Sequence, residues 1–169
     1  DLYSEVDDTR KEAGVTVEDE ARRTLVVARA RRDATRLDYE RAVVRASEAG
    51  LTQSKIATIV GMSQAAVSQL LASATKAPRV RRGRSGATPY EVCQRYAAGL
   101  LSREQVAGEL SSWPYEQVDY ATGGVDEFVV EGPDAPAHVL RAFEDGLIDE
   151  DLYLEVISQP VVRRTVVTG

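Results

Sequence analysis

The segment 63–72 combines short polar side chains with an apolar stripe at helical spacing. The stripe consists of Val67, Leu70 and Leu71, and the side chains that remain outward are Gln64, Ala65, Ser68 and Gln69. A glutamine amide donates and accepts at once, which matches N6 and N7 of adenine, and an alanine methyl can contact the methyl of thymine. Ser63 and Ser68 have a suitable length for phosphate or base-edge contacts. These residues therefore form an uncharged face that is capable of hydrogen bonding and of apolar contact.

Two short helices joined by a tight turn must position those side chains. Thr52 and Ser63 are the expected N-caps of the two helices, because a hydroxyl can accept from unpaired first-turn amides. Gly61 lies between them, where a sharp turn favours a residue that tolerates a positive φ. Met62 is expected to fill the angle between the helices. The residues predicted to face inward are Ile56, Ile59, Val60, Val67, Leu70 and Leu71.

The segment from Leu51 to Ala72 resembles the helix-turn-helix of the lambda-repressor and Cro type. The matching residues are Gln53 at the start of the first helix, Ala57 where the helices touch, Gly61 in the turn, and Val67 and Leu70 beneath the second helix. The resemblance implies that the second helix enters the major groove with its N-terminal end nearest the bases. A helical hairpin without DNA contact would show the same apolar spacing, but it would less often combine Ala57 with Gly61.

Charge is segregated along the chain, whose formal net charge is −6. Residues 22–84 hold fourteen basic and four acidic side chains, whereas residues 1–21 hold two and eight, and residues 85–169 hold five and fifteen. The basic block coincides with the resemblance, where phosphate contacts would be needed. Such asymmetry points to a nucleic-acid face and to a separate second function.

The segment 75–87 is the most basic part of that block. Its cationic residues are Lys76, Arg79, Arg81, Arg82 and Arg84. We expect a basic linker that follows the phosphates or places an arginine in a narrow minor groove. A solvated flexible linker is the alternative, and its charge would still strengthen non-specific DNA binding. The candidate DNA-binding residues are these cations together with Gln53, Ser63, Gln64, Ala65, Ser68 and Gln69.

The apolar spacing and the capping signals predict a mainly α protein with five parts. An acidic, weakly ordered N-terminus covers 1–15, and a three-helix helix-turn-helix domain with a long first helix covers 16–74. The basic linker covers 75–87. A small acidic domain, helical or α+β, covers 88–160, and a tail covers 161–169.

The long first helix is expected to begin after Thr16, with Asp19 as a capping-box partner. Residues 17–49 contain neither Gly nor Pro, so they form one helix or two that meet near 32–35. Its later apolar face should pack on the helix-turn-helix and consists of Tyr39, Ala42, Val43 and Ala46. An earlier apolar stripe of the same helix consists of Ala21, Leu25 and Ala28. It is expected either to pack against the rest of the fold or to form a contact with a second copy or a partner.

Two segments of the acidic domain share one pattern. Residues 98–104 and 145–151 each place a glycine after a helix, then two apolar residues, then a Ser or Asp cap before the next helix. The pattern predicts two helical hairpins that face each other around Trp113, Phe128 and Phe143. The first hairpin should begin at Thr88 with proline at the first helical position. The apolar tail could pair as a strand with 128–130.

Residues suited to catalysis are sparse. His138 is the only histidine and Cys93 the only cysteine, so neither nucleophile–base pairing nor metal spacing is supported. The acids of 144–151 are expected to serve as helix caps and first-turn residues. The sequence has no glycine-rich phosphate loop. We therefore expect no enzyme activity, no cofactor and no metal.

The sequence has no run of about 18 apolar residues that could span a membrane, and its single cysteine fits a reducing cytoplasm. The predicted function is that of a cytoplasmic, sequence-specific transcriptional regulator, in particular a repressor, with double-stranded DNA as its partner. One alternative is an antitoxin whose acidic C-terminal domain neutralises a toxin protein while the chain autoregulates its operon. A homodimeric or phage immunity repressor and an architectural DNA-binding protein are further alternatives.

Overall fold

A computed structural model describes residues 16–75, 78–115, 132 and 134–158. These ranges hold seven α-helices and no strand, which confirms the prediction of a mainly α fold. The helices are α1 (Val17–Glu48), α2 (Gln53–Val60), α3 (Gln64–Ala74), α4 (Pro89–Ala97), α5 (Arg103–Ser111), α6 (Ala137–Glu144) and α7 (Glu150–Ile157). The expected acidic N-terminus, the segment around Phe128 and the tail lie outside the described ranges.

Helix α1 is one unbroken helix of 32 residues, about 48 Å long at a rise of 1.5 Å per residue. The predicted capping box is present: the Asp19 amide donates to Thr16 Oγ1 and the Thr16 amide donates to Asp19 Oδ2, both at 3.1 Å. No break occurs near 32–35, because that stretch lacks Gly and Pro. Helix α1 is therefore long enough to support two separate cores.

The two cores pack on opposite faces of α1. Ala30 and Ala34 are buried in the larger core, with residues of α4 to α7. Val43 is buried in the smaller core, with residues of α2 and α3. Ala34 and Val43 are nine residues apart, which is about two and a half helical turns and places them on opposite sides of the helix. The first half of α1 thus belongs to the core of the C-terminal helices.

The earlier stripe predicted on α1 is not the one that packs. Leu25 is 71% exposed, whereas Val26 contacts the larger core beside Ala30 and Ala34. The prediction that this stripe packs on the fold was wrong because small apolar residues occur on both sides of this part of α1, and its dimer or partner contact stays a prediction. Helix α4 packs on the side of Ala30 and Ala34 and leaves Leu25 in solvent.

Helices α2 and α3 meet at a bend of 102° across the turn 61–63. Gly61 adopts the left-handed conformation with φ 69°, and its amide donates to the carbonyl of Ala57. Ile56, Ala57 and Val67 are buried with Val43 of α1.

Ile59 was expected to face inward, but it is 71% exposed. Successive residues of a helix advance by about 100°. Helix α2 packs through Ile56, Ala57 and Val60, so Ile59 lies roughly a quarter turn or more from the centre of the buried arc.

Replacing Gly61 with alanine is expected to lower the free energy of unfolding by about 1–2 kcal/mol, because an L side chain is strained in the left-handed conformation. No described atom lies within 4 Å of the Cβ that would be added, so the cost comes from the backbone. Gly108→Ala in α5 is the matched control. It meets the same open space without a positive φ and should stabilise the protein by about 0.5–1 kcal/mol. Urea unfolding compares the two, and equal changes would contradict the argument.

The larger core is built from the two predicted hairpins, α4–α5 and α6–α7. Helix α4 packs on α6 and helix α5 packs on α7, so the hairpins face each other. Gly99 and Gly146 end the first helix of each hairpin with φ 80° and 72°. Two arginines of α1 bind these ends: Arg31 Nε donates to the carbonyl of Ala98 at 3.2 Å, and Arg29 donates to the carbonyl of Asp145 at 3.5 Å.

Candidate nucleic-acid interface

Helix α3 presents an exposed and uncharged face. Its exposed residues include the four predicted from the spacing, Gln64, Ala65, Ser68 and Gln69. Val67 is fully buried beneath them, and Leu70 and Leu71 are half-buried against the smaller core. The structure therefore brings these predicted residues together on one accessible surface.

The two hydroxyl caps fix where α2 and α3 begin. Ser63 Oγ accepts from the amide of Ala66 at 3.1 Å, so its role in the structure is that of the N-cap of α3. Thr52 Oγ1 accepts from the amide of Lys55 at 3.4 Å and caps α2. Gln53, the remaining candidate on α2, is half-buried at its first position.

Helix α3 packs against the C-terminal half of α1. At its N-terminal end, Met62 Sδ accepts from the hydroxyl of Tyr39 at 3.2 Å. At its C-terminal end, Ala74 and Thr75 line a groove of about 300 Å³ together with residues of α1 that include Arg45. Met62 is 38% exposed, so it is not enclosed between α2 and α3 as the sequence predicted.

Several cations lie around the α2–α3 pair. Lys55 on α2 and Arg45 on α1 are exposed, whereas Arg82 is exposed on the loop 81–87. Arg79 is also exposed, at 87% of its side chain, and pairs with Glu48 of α1 at 2.7 Å. An exposed pair of this kind contributes only about 0–1 kcal/mol, so a phosphate can replace the carboxylate at little cost. Lys76 lies outside the described residues.

Arg81 and Arg84 are engaged by the C-terminal helices. Arg81 pairs with the carboxylate of Asp134, and Arg84 donates to Ser112 Oγ at 2.7 Å and to the carbonyl of Glu109 at 2.8 Å. Their guanidinium groups lie 5.6 and 5.5 Å from the ring centroid of Trp113. These two candidates are therefore occupied by contacts within the protein and are poorly placed to bind phosphate.

The part of the expected linker between 81 and 87 is a loop bound to the C-terminal helices. The amide and the hydroxyl of Ser85 donate to the carboxylate of Glu109 at 2.8 and 2.5 Å. The amide of Ala87 donates to Glu91 Oε2 at 2.8 Å. A Cβ added at Gly86 would lie 3.0 Å from Cβ of Glu91, so the loop approaches α4 closely. This segment differs from the flexible linker that its composition predicts.

A buried ionic network that the sequence did not indicate connects α1 to α4. Glu91 is 4% exposed and accepts from the two terminal nitrogens of Arg41 at 2.5 and 2.8 Å. Arg95 contacts Glu91 at 3.1 Å and Asp38 of α1 at 2.5 Å. Burial tends to raise the pKa of Glu91, but the hydrogen bonds from Arg41 and the Ala87 amide, together with the positive charges of Arg41 and Arg95, outweigh it and lower that pKa. The only local sequence signal is the spacing of Glu91 and Arg95, four residues apart on one helix.

The residues that were considered for catalysis or metal binding are buried in the fold or bonded to its backbone. Burial raises the pKa of the Cys93 thiol to about 12, which makes its thiolate inaccessible at neutral pH. His138 Nε2 lies 3.1 Å from the carbonyl of Gly132, whereas its Nδ1 is buried without a partner in the described structure. Asp149 caps α7 by accepting from the Leu152 amide at 2.8 Å. The described residues contain no group of three His, Cys, Asp or Glu side chains placed to hold a metal ion.

Among the described helices, none is by itself long and apolar enough to cross a membrane, and the one pair with sufficient combined length, α2 and α3, is bent by 102°. A scan against protein-family models and searches of curated proteins and solved structures found no match to this chain. The functional inference therefore depends on the exposed face of α3, the geometry of the α2–α3 pair and the cations around it.

Proposed function

We propose that this chain is a sequence-specific DNA-binding transcriptional regulator that acts as a repressor and reads the major groove with α3. The observation that carries the proposal is the bend of 102° between α2 and α3 across a three-residue turn that contains Gly61 at positive φ. Helix-turn-helix pairs meet at about 90–120° across a turn of three or four residues that often contains glycine. The exposed, uncharged face of α3 supports the same proposal.

In this proposal the N-terminal end of α3 approaches the base edges. Gln64 and Gln69 pair with adenine through their amides, and Ala65 contacts a thymine methyl. Since α3 contributes no charge, phosphate binding comes from the exposed cations around it, among them Lys55, Arg45 and Arg79. Repression then needs no further chemistry, because occupancy of a promoter is sufficient to exclude other proteins from it.

The double variant Gln64→Ala with Gln69→Ala tests the base contacts. We expect it to lose discrimination between the preferred site and mismatched sites by about 1–3 kcal/mol for each contact removed, while its affinity for random DNA stays nearly unchanged. The preferred site is first selected from a random duplex library with the wild-type chain. Titrations with the selected and mismatched duplexes then give the discrimination.

The matched control is Gln94→Ala, which makes the same change on α4, outside the α2–α3 pair. Equal loss of discrimination in the control would indicate an effect on the fold. Full retention of discrimination in the double variant would contradict base readout by α3. That result would favour the architectural alternative, in which cations provide most of the binding.

A second candidate function, that of an antitoxin, is favoured by the exposed acids of the C-terminal helices. The exposed carboxylates on α5 to α7 are those of Glu104, Glu144, Glu150, Asp151 and Glu155. This surface fits a basic partner protein, as in an antitoxin that neutralises a toxin. The test is coexpression of the full chain with the protein encoded next to it, followed by gel filtration. Separate elution at low salt would contradict this candidate and leave the repressor proposal intact.

A further inference from the structure

Arginines continue along α1 from the point where α3 begins. Tyr39 contacts Met62, and Met62 directly precedes Ser63, the N-cap of α3. Arg36 and Arg32 lie three and seven residues before Tyr39, the spacing at which helical residues share a face. Their side chains are 59% and 73% exposed. Two exposed arginines of α1 therefore lie on the side of Tyr39, next to the N-terminal end of α3.

We propose that Arg32 and Arg36 form a phosphate clamp that binds the DNA backbone beside the groove entered by α3. The inference rests on the proposed function and adds a second contact surface to it, on a helix outside the α2–α3 pair. At 1.5 Å per residue, Arg36 and Arg32 lie about 4.5 and 10.5 Å along α1 from Tyr39. The major groove is about 12 Å wide. With the N-terminal end of α3 at the groove floor, a bordering strand runs within the reach of these side chains.

The present partners of these arginines release them readily. Arg32 pairs with Asp33, its neighbour in sequence, and Arg36 pairs with Glu40 one turn away, both at 2.8 Å. Such pairs on a helix surface are weak. A phosphate offers a guanidinium two parallel hydrogen bonds and a stronger charge. Asp38, the other acid on this part of α1, is held by Arg95.

Three other arginines of the same helix have partners elsewhere in the fold, and Arg45, near the C-terminal end of α3, is already among the cations of the proposed function. Arg29 and Arg31 bind the carbonyls that end α6 and α4. Arg41 binds Glu91 in the buried network. Arg22 and Arg23 are exposed and lie two to four helical turns further from Tyr39 than Arg32 and Arg36 do. They line a different groove, next to the α4–α5 and α6–α7 turns. They supply a matched control with the same charge change in the same helix.

The test uses the full chain with both substitutions, Arg32→Gln and Arg36→Gln. Salt-series titrations compare this double variant with wild type. The probes are the selected duplex and a random duplex of equal length. Each phosphate contact contributes about 0.9 to the slope of log affinity against log salt. We expect the slope to fall by about 1.8, so that the affinity loss from 50 to 200 mM salt becomes about twelvefold smaller. Preference for the selected duplex should not change.

The double variant Arg22→Gln with Arg23→Gln is expected to keep the wild-type slope, and circular dichroism checks that both variants keep their helicity. Equal slope changes in the two variants would overturn the clamp in favour of a general effect of net charge. An unchanged slope in the Arg32 and Arg36 variant would also overturn it, with the proposed function intact. A wild-type chain that binds neither duplex would overturn the proposed function and the clamp together. Sedimentation of the Arg32 and Arg36 variant gives a further check. If only its sedimentation coefficient changed and its DNA binding did not, this face of α1 would be a protein contact and the clamp would be wrong.

Discussion

Replacing Glu91 with alanine is expected to lower the free energy of unfolding by about 3–5 kcal/mol, the range for removing one partner of a buried ion pair. The carboxylate binds both terminal nitrogens of Arg41 and also contacts Arg95. The side chains of these arginines are only 19% and 12% exposed, so Arg41 would keep a largely buried charge without its acceptor, and Arg95 would keep only Asp38. The Ala87 amide would lose its acceptor as well.

Urea unfolding followed by the fluorescence of Trp113, the only tryptophan, measures this loss. Glu104→Ala is the matched control, because Glu104 is an exposed acid in the first turn of α5. Its effect should stay within about 0.5 kcal/mol. A loss below about 1 kcal/mol for Glu91→Ala would mean that the network behaves as a solvated surface pair.

The same carboxylate gives stability a defined pH dependence. The pKa of Glu91 is lower in the folded protein than its ordinary value of 4.5, because the bonds from Arg41 and Ala87 and the charges of Arg41 and Arg95 together outweigh the opposing effect of burial. The folded state therefore binds fewer protons than the unfolded state, and the contribution of Glu91 is complete above the ordinary pKa. That contribution is lost as the pH falls below 4.5 through the lower, folded pKa. In Glu91→Gln this part of the acid-induced loss of stability should be absent. Unfolding curves recorded between pH 3 and 6 measure the difference.

The features that the sequence predicted well are those set by neighbouring residues. Thr52, Ser63, Thr88, Ser102 and Asp149 were all expected to cap helices, and each accepts a hydrogen bond from an amide three residues later. A cap needs only a short polar side chain at the start of a helical pattern, so residue type and position suffice. The turn of α2–α3 was predictable for the same reason, since Gly tolerates the positive φ that the turn requires.

The features that the sequence missed depend on partners far away in the chain. Arg81 and Arg84 look like their neighbours Arg79 and Arg82 in a basic run, yet only the first two are bound by the C-terminal helices. Arg81 meets Asp134 across 53 residues, and Arg41 meets Glu91 across 50. No local rule separates a cation that binds phosphate from one that holds a loop. The composition of 75–87 therefore predicted a DNA-binding linker where much of the segment is a structural loop.

Trp113 connects that loop to the larger core, and replacing it with alanine is expected to cost about 3–5 kcal/mol of unfolding free energy. The side chain is 1% exposed, and its indole N–H donates to Asp134 Oδ1 at 2.9 Å. Arg81 and Arg84 lie over its rings. The substitution removes packing volume, a buried hydrogen bond and two cation–π contacts at once.

Trp113→Phe removes the hydrogen bond together with only part of the packing volume. Phenylalanine keeps an aromatic ring for the two arginines but cannot donate to Asp134, so we expect a loss of about 1–3 kcal/mol. The loss should lie at the low end of that range, because Asp134 keeps its ion pair with Arg81. Neither variant retains tryptophan, so far-UV circular dichroism must follow their unfolding.

The control for both is Leu140→Ala, a truncation of a residue that is 43% exposed and should cost about 0.5 kcal/mol or less. A loss for Trp113→Ala no larger than that for Trp113→Phe would contradict the packing argument. The indole hydrogen bond would then account for the whole effect of Trp113. The loop 81–87 would then be held mainly by Arg81 and Arg84, through Asp134, Glu109 and Ser112. These two arginines would stabilise the fold whatever the chain binds.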